Sequence, residues 1–190
     1  WLDLFVGAGT SFYTDFPNVV NYYPNSLNGF FLNLGGELPL TPAFENIFID
    51  NELTFSSACS DHNRDGAMDF VSHRMGPHAR LLNGVPNGKA WIQTTLVPSS
   101  GNKDATGAVV TVWKNGLGDM RTVTCGSQYL SQNSRRLHFG LGSTAAVDSI
   151  VVDWPSGNQT VHDDLGTNLV YQLHENGGSG FAVGFGCKYS

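Results

Sequence analysis

Charge is scarce in this chain. Only 14% of its 190 residues are Asp, Glu, Lys or Arg, so solvation has to come largely from Asn, Ser, Thr and Gly. Acidic residues outnumber basic ones, 16 to 10, and the formal net charge is −6. That balance argues against nucleic acid or an anionic membrane as a partner, because both require a basic face. Long apolar runs are missing too, and no stretch approaches the roughly 20 residues of a membrane-spanning helix. Amphipathic helical periodicity is not found either. Catalytic signatures are lacking: there is no HExxH, no GxSxG and no nucleophile with an evident base. Three cysteines, Cys59, Cys125 and Cys187, are too few for a disulfide scaffold, odd in number, and fit no CxxC metal pattern.

What the chain does have is apolar bulk. Apolar residues make up 41% and aromatics 12%, enough for a packed core and against disorder. The length suits one ordinary domain or two small ones.

One loop carries most of the chemical information. It reads Asp61-His62-Asn63-Arg64-Asp65-Gly66-Ala67-Met68-Asp69, or D-x-N-x-D-G-x-x-D. Calcium takes six to eight oxygen ligands, and alternate side chains of a curled loop can converge on one point. Gly66 gives the backbone freedom for the curl. Asp61, Asn63 and Asp65 would donate side-chain oxygens, Ala67 its carbonyl, and Asp69 a carboxylate from the far side. His62 and Arg64 alternate outward. A helix-flanked calcium loop wants Glu at its twelfth place. Here that place is Ser72, and the exit Met-Asp-Phe-Val is strand-like. The reading is a calcium loop that feeds a strand; the plainer alternative is an Asx-rich turn without metal.

The first half repeats itself. Leu2-Asp3-Leu4-Phe5-Val6 recurs as Met68-Asp69-Phe70-Val71-Ser72, which puts Asp3 where Asp69 sits, at the end of an earlier calcium loop. The start of that loop would precede residue 1, so a C-terminal piece of a longer chain is expected. Gly29-Phe-Phe-Leu-Asn33 is echoed by Ala79-Arg-Leu-Leu-Asn83. Further strand candidates lie at 44–50 and 53–58. Four strands per repeat suits a propeller blade. Residues 10–27, rich in Pro, Asn and Tyr, read as a long exposed loop.

Residues 89–175 change character. Strands are predicted at 90–97, 108–113, 120–125, 137–141, 147–154, 159–162 and 169–174, with a hairpin signal at Asn115-Gly116. Ile150, Val152 and Trp154 should share one face, as should Leu169, Tyr171 and Leu173. Trp154-Pro-Ser-Gly157 has Pro and Gly where a type I turn wants them. Together these strands predict a small antiparallel sandwich or barrel. The tail, 176–190, alternates Phe181, Val183 and Phe185 with Ala or Gly. As a strand it can join its own sheet or a neighbour's. The fold class is therefore all-β, with partial blades over 1–88, the β-domain over 89–175 and the tail beyond.

The loop at 61–69 with its strand exit resembles the calcium-binding blades called FG-GAP or VCBS repeats. An ordered set of motifs is more specific: Gly101-Asn-Lys-Asp-Ala-Thr-Gly107, Gly126-Ser-Gln-Tyr-Leu-Ser-Gln132, Leu137-His-Phe-Gly-Leu-Gly142, Val147-Asp148 and Val152-Asp-Trp-Pro-Ser-Gly157. That set resembles the ASPIC/UnbV domain, which follows FG-GAP repeats in bacterial secreted proteins and in animal cartilage acidic proteins. The resemblance implies an extracellular protein with a calcium-bearing propeller and a C-terminal β-domain. It gives the metal role to Asp61, Asn63, Asp65, Ala67 and Asp69, and in part to Asp3. It offers no catalytic residues. Fewer than two complete blades are present, whereas a closed propeller needs about four to eight.

The expected function is thus a non-enzymatic, extracellular calcium-binding module of structural or adhesive kind. Its open strand edges would be covered by upstream blades or by other copies of the chain, in a polymer. The alternative is a carbohydrate- or protein-recognition module, using Phe12, Tyr13, Phe16, Tyr22 and Tyr23 on a glycan or an extracellular protein. An enzyme built on His62, His73 and His78 beside the loop is the weakest reading. Gly140-Leu-Gly142 does not lie between a strand and a helix, so it is no phosphate cradle. For the cysteines, one bridge with a leftover thiol, an interchain bridge and three buried thiols remain open. Cys125 with Cys187 is the favoured pair because both lie in or beyond the second domain. Asn158 heads a glycosylation sequon, Asn158-Gln-Thr160.

Overall fold

The structure is a computed structural model that describes residues 4–6, 29–32, 41–45, 54–74, 78–144, 146–177 and 181–182. Its described elements are all strands, and no helix occurs among them. The chain divides into two compact units, each made of several segments. One comprises Trp1–Cys59, Asp69–Asn83 and Gln128–Gln132; the other comprises Ser60–Met68, Gly84–Ser127 and Asn133–Ser190.

The first unit holds two three-stranded sheets. β1 (Leu4–Val6), β2 (Gly29–Leu32) and β3 (Thr41–Glu45) form an antiparallel meander in that order. β4 (Thr54–Ser60), β5 (Asp69–Arg74) and β6 (Arg80–Leu82) form the other. The described parts of the two similar segments are both strands: Leu4–Val6 pairs with β2, and Phe70, Val71 and Ser72 pair with β6. Two details differ. Each described sheet has three strands rather than the four of a blade. β3 also begins earlier than predicted, at Thr41, because Thr and the edge-tolerant Pro42 pair with Leu32 and Phe31. Within this unit the Ser131 hydroxyl donates to the Ser57 carbonyl at 2.5 Å.

The second unit is a sandwich of two four-stranded sheets. One runs β10 (Leu137–Gly142), β7 (Ala90–Val97), β13 (Leu169–His174), β14 (Phe181–Ala182). The other runs β12 (Gln159–Asp163), β11 (Ser149–Asp153), β8 (Val109–Lys114), β9 (Leu117–Thr122). Between them lies one apolar core that includes Ile92, Leu96, Val110, Val112, Phe139, Ile150, Val152, Trp154, Tyr171 and Leu173. The predicted faces hold: Ile150, Val152 and Trp154 are all buried, and so are Tyr171 and Leu173. Strand alternation dictates this, since successive side chains point to opposite faces.

Local turns obey their residues. Asn115 and Gly116 both take positive φ, 50° and 74°, which the two-residue hairpin between β8 and β9 requires. β9 consequently starts at Leu117, three residues before the predicted start, because a two-residue turn leaves no slack. At the β11–β12 hairpin the Gly157 amide donates to the Trp154 carbonyl at 2.9 Å, closing the predicted four-residue turn.

The prediction of a purely antiparallel domain needs correction. β13 pairs with β7 in parallel, from Leu169 opposite Ile92 to His174 opposite Val97. Parallel neighbours need a long crossover, and residues 98–168, which carry the whole second sheet and also β10, supply it. The tail begins on its own domain: Phe181 and Ala182 pair antiparallel with Gln172 and Tyr171.

Candidate metal centre

The loop between β4 and β5 is curled by two left-handed residues, Arg64 (φ 62°) and Gly66 (φ 88°). For arginine that conformation costs about 1–2 kcal/mol, so the surroundings must hold it there. Asp61 does so from inside. It is 4% exposed, and its Oδ1 accepts the Asp65 amide at 3.1 Å while Oδ2 accepts the Gly66 amide at 3.0 Å. Asn63 Oδ1 also accepts the Asp65 amide, at 3.2 Å, and Asn63 Nδ2 donates to Asp65 Oδ2 at 2.8 Å. Asp65 Oδ1 accepts the Ala67 amide at 2.8 Å. The anionic side chains are thereby aimed inward at the backbone.

The same loop is seated on the outer face of the β10–β7–β13 sheet. Gln93 on β7 is 1% exposed, and its Nε2 donates to Asp61 Oδ2 at 2.5 Å. Arg136 Nη1 reaches Gln93 Oε1 at 3.5 Å. The Trp91 indole covers Gly66 so closely that a Cβ there would lie 1.9 Å from Nε1. His138 on β10 stacks beside Trp91, with centroids 6.1 Å apart, and its Nε2 lies 3.0 Å from the Gly66 carbonyl. Burial pushes the His138 pKa down, against the upward pull of that carbonyl and of Asp61; Arg121 pushes it down further. Gly84 closes the loop's other side, where a Cβ would sit 2.6 Å from the Met68 carbonyl.

The donor set fits a hard cation in kind. Two carboxylates, an amide oxygen and a carbonyl are oxygen ligands, which suit Ca²⁺ or Mg²⁺ rather than zinc. A carboxylate has about four acceptor positions, and the bonds above occupy three on Asp61 and two on Asp65. Among the described residues, however, no three His, Cys, Asp or Glu side chains are grouped as a metal ion would need. Asn63 Nδ2 holds Asp65 Oδ2, and a cation would have to displace that bond.

The remaining predicted residues are placed as follows. Asp69 opens β5 in the first unit and is 2% exposed. Asp3 and Cys187 lie outside the described residues, as do the aromatics of 10–27. Cys125 is exposed after β9, and its expected pairing with Cys187 involves a residue outside the described ones. Burial raises the pKa of Cys59. His62, His73 and His78 are exposed. Asn158 is exposed in the β11–β12 turn, where its Nδ2 donates to Glu175 Oε1 at 3.1 Å.

Sequence reasoning passed over Trp91, Gln93 and Arg136, and placed His138 only within a strand. One signal was available: Gln93 interrupts an otherwise apolar and hydroxylated strand. Nothing local linked it to a loop about thirty residues earlier.

Comparison with known families finds a match to the family described as ASPIC and UnbV over residues 98–180. The match covers under half of the chain and starts just after β7. It leaves out the loop and the strand that holds it. No curated protein matches the chain. No helix among the described residues is long and apolar enough to cross a membrane.

Proposed function

We propose that this chain is an extracellular, non-enzymatic structural or adhesive module whose 61–69 loop binds Ca²⁺. Asp61, Asn63, Asp65, the Ala67 carbonyl and Asp69 would hold the ion, with Asp3 in the corresponding place of an earlier FG-GAP-type loop. The observation that carries the reading is the inward-aimed Asp61, buried and fixed by backbone amides inside a left-handed curl. When bound, the cation would neutralise crowded carboxylates and couple its own binding to the folding of the loop. The chain's own residues do the rest: Asp61 orients the curl, and Gly66 lets it pass beneath Trp91. In this reading the strand edges of the blades would be covered by preceding blades or by further copies.

The test is calorimetric titration of the full chain with Ca²⁺, with thermal unfolding in chelator and in excess cation. At a hundred times Kd, the ion should stabilise by about 2.7 kcal/mol, a rise of roughly 5–10 °C in Tm for a chain of this size. Absence of binding heat and an unchanged Tm in both the native chain and Asp65→Asn would overturn the proposal. Sedimentation with and without chelator tests assembly, and a monomer in both removes the polymer.

A further inference from the structure

Gln93 is a buried primary amide in the middle of a strand, which is an expensive place for one unless both of its ends are bonded. One end is: Nε2 lies 2.5 Å from Asp61 Oδ2. The other end faces a cation, with Arg136 Nη1 at 3.5 Å from Oε1. The two ends of the amide are nearly alike in shape, so packing alone cannot choose between them. Charge chooses. The guanidinium favours the oxygen on its side, and the reversed amide would set an oxygen against a carboxylate at 2.5 Å. Arg136 Nε is itself buried without a hydrogen-bond partner among the described residues, while the neighbouring Nη1 meets Gln93.

We infer that Gln93, oriented by Arg136, is a positioning residue for the cation loop: strand β7 fixes the Asp61 carboxylate, so the loop's affinity for Ca²⁺ is set in part by the β-sandwich. This deepens the calcium reading and rests on it. Three contacts support it independently of the amide, since Trp91 covers Gly66, His138 meets the Gly66 carbonyl, and Gly84 admits the Met68 carbonyl. The loop accordingly belongs to the same compact unit as the sandwich. A carboxylate already held in place loses less freedom when a metal arrives, and removing a hydrogen-bond partner of a ligand typically costs 10–100-fold in metal affinity.

The experiment is Ca²⁺ titration by calorimetry on the full chain and on Gln93→Met, Arg136→Met and Gln172→Met. Gln93→Met keeps length and bulk but removes both bonds. Gln172, on β13 opposite Thr95, makes none of the loop contacts described above and is the control. The expected result is affinity about 10–100-fold weaker for Gln93→Met, weaker in the same direction for Arg136→Met, and unchanged for Gln172→Met. Unfolding in chelator is measured alongside to separate folding from binding. If Gln93→Met lowers Tm in chelator yet binds Ca²⁺ like the native chain, the inference is overturned and Gln93 is only a structural tie. Should Gln93→Met fail to fold, native affinity in Arg136→Met overturns it instead. A native chain that gives no binding heat defeats the calcium reading as a whole, a failure distinct from that of the variants.

Discussion

Substituting Gly66 tests the seating of the loop without any assumption about metal. At φ 88°, any L-residue pays about 1–2 kcal/mol for the left-handed conformation. Alanine pays again, because its Cβ would lie 1.9, 2.3 and 2.5 Å from Nε1, Cε2 and Cδ1 of Trp91. Carbon contacts are comfortable near 3.5–4.0 Å, so the indole must move by more than 1 Å. Overpacking of that kind costs about 1–3 kcal/mol, and Gly66→Ala should therefore destabilise by roughly 2–5 kcal/mol in total. Trp91→Ala alone should cost on the order of 2 kcal/mol, since the ring is half-buried rather than fully enclosed. The double variant decides. With the indole gone only the backbone term remains, so Gly66→Ala should cost about 1–2 kcal/mol in that background. Urea unfolding of the four proteins in chelator gives the coupling directly. Losses that add to within about 0.5 kcal/mol would refute the contact, because sites that do not touch are additive to that extent.

Two further expectations concern the sandwich. Glu175 is 6% exposed and accepts bonds from the Ser156 hydroxyl, the Ser99 amide at 2.7 Å, the Ser99 hydroxyl at 2.8 Å and Asn158 Nδ2. Those donors, Ser156 first, hold its pKa down at about 2 against an ordinary 4.5. A depressed carboxylate stabilises the fold above its unfolded pKa, so stability should fall as pH drops from 4.5 toward 2. In Glu175→Gln that portion of the pH dependence of Tm should flatten; an identical slope would contradict the assignment. Thr94 on β7 is fully buried, and its hydroxyl has no hydrogen-bond partner among the described residues. Thr94→Val keeps the branched shape and removes the orphan, and should stabilise by about 1 kcal/mol in urea unfolding; a loss of stability would mean the hydroxyl is satisfied.

Much of the domain was legible locally. β7 and β13 match their predicted bounds, and the burial of Ile150, Val152 and Trp154 follows from alternation alone. A strand's two faces are a property of its own backbone, and a two-residue turn is decided by the side chains within it. The curl at Gly66 was equally visible, as was the oxygen-rich donor set. The parallel match of β13 with β7 was not, because strand-length sequence specifies a face but not a neighbour. Nor could the chain alone reveal that Gln93 meets Asp61 and Trp91 covers Gly66. Those meetings exist because the sandwich buries one face of its sheet in the apolar core and leaves an outer face on which a distant loop is seated. Order along the chain determined the parts, and long-range burial decided which parts touch.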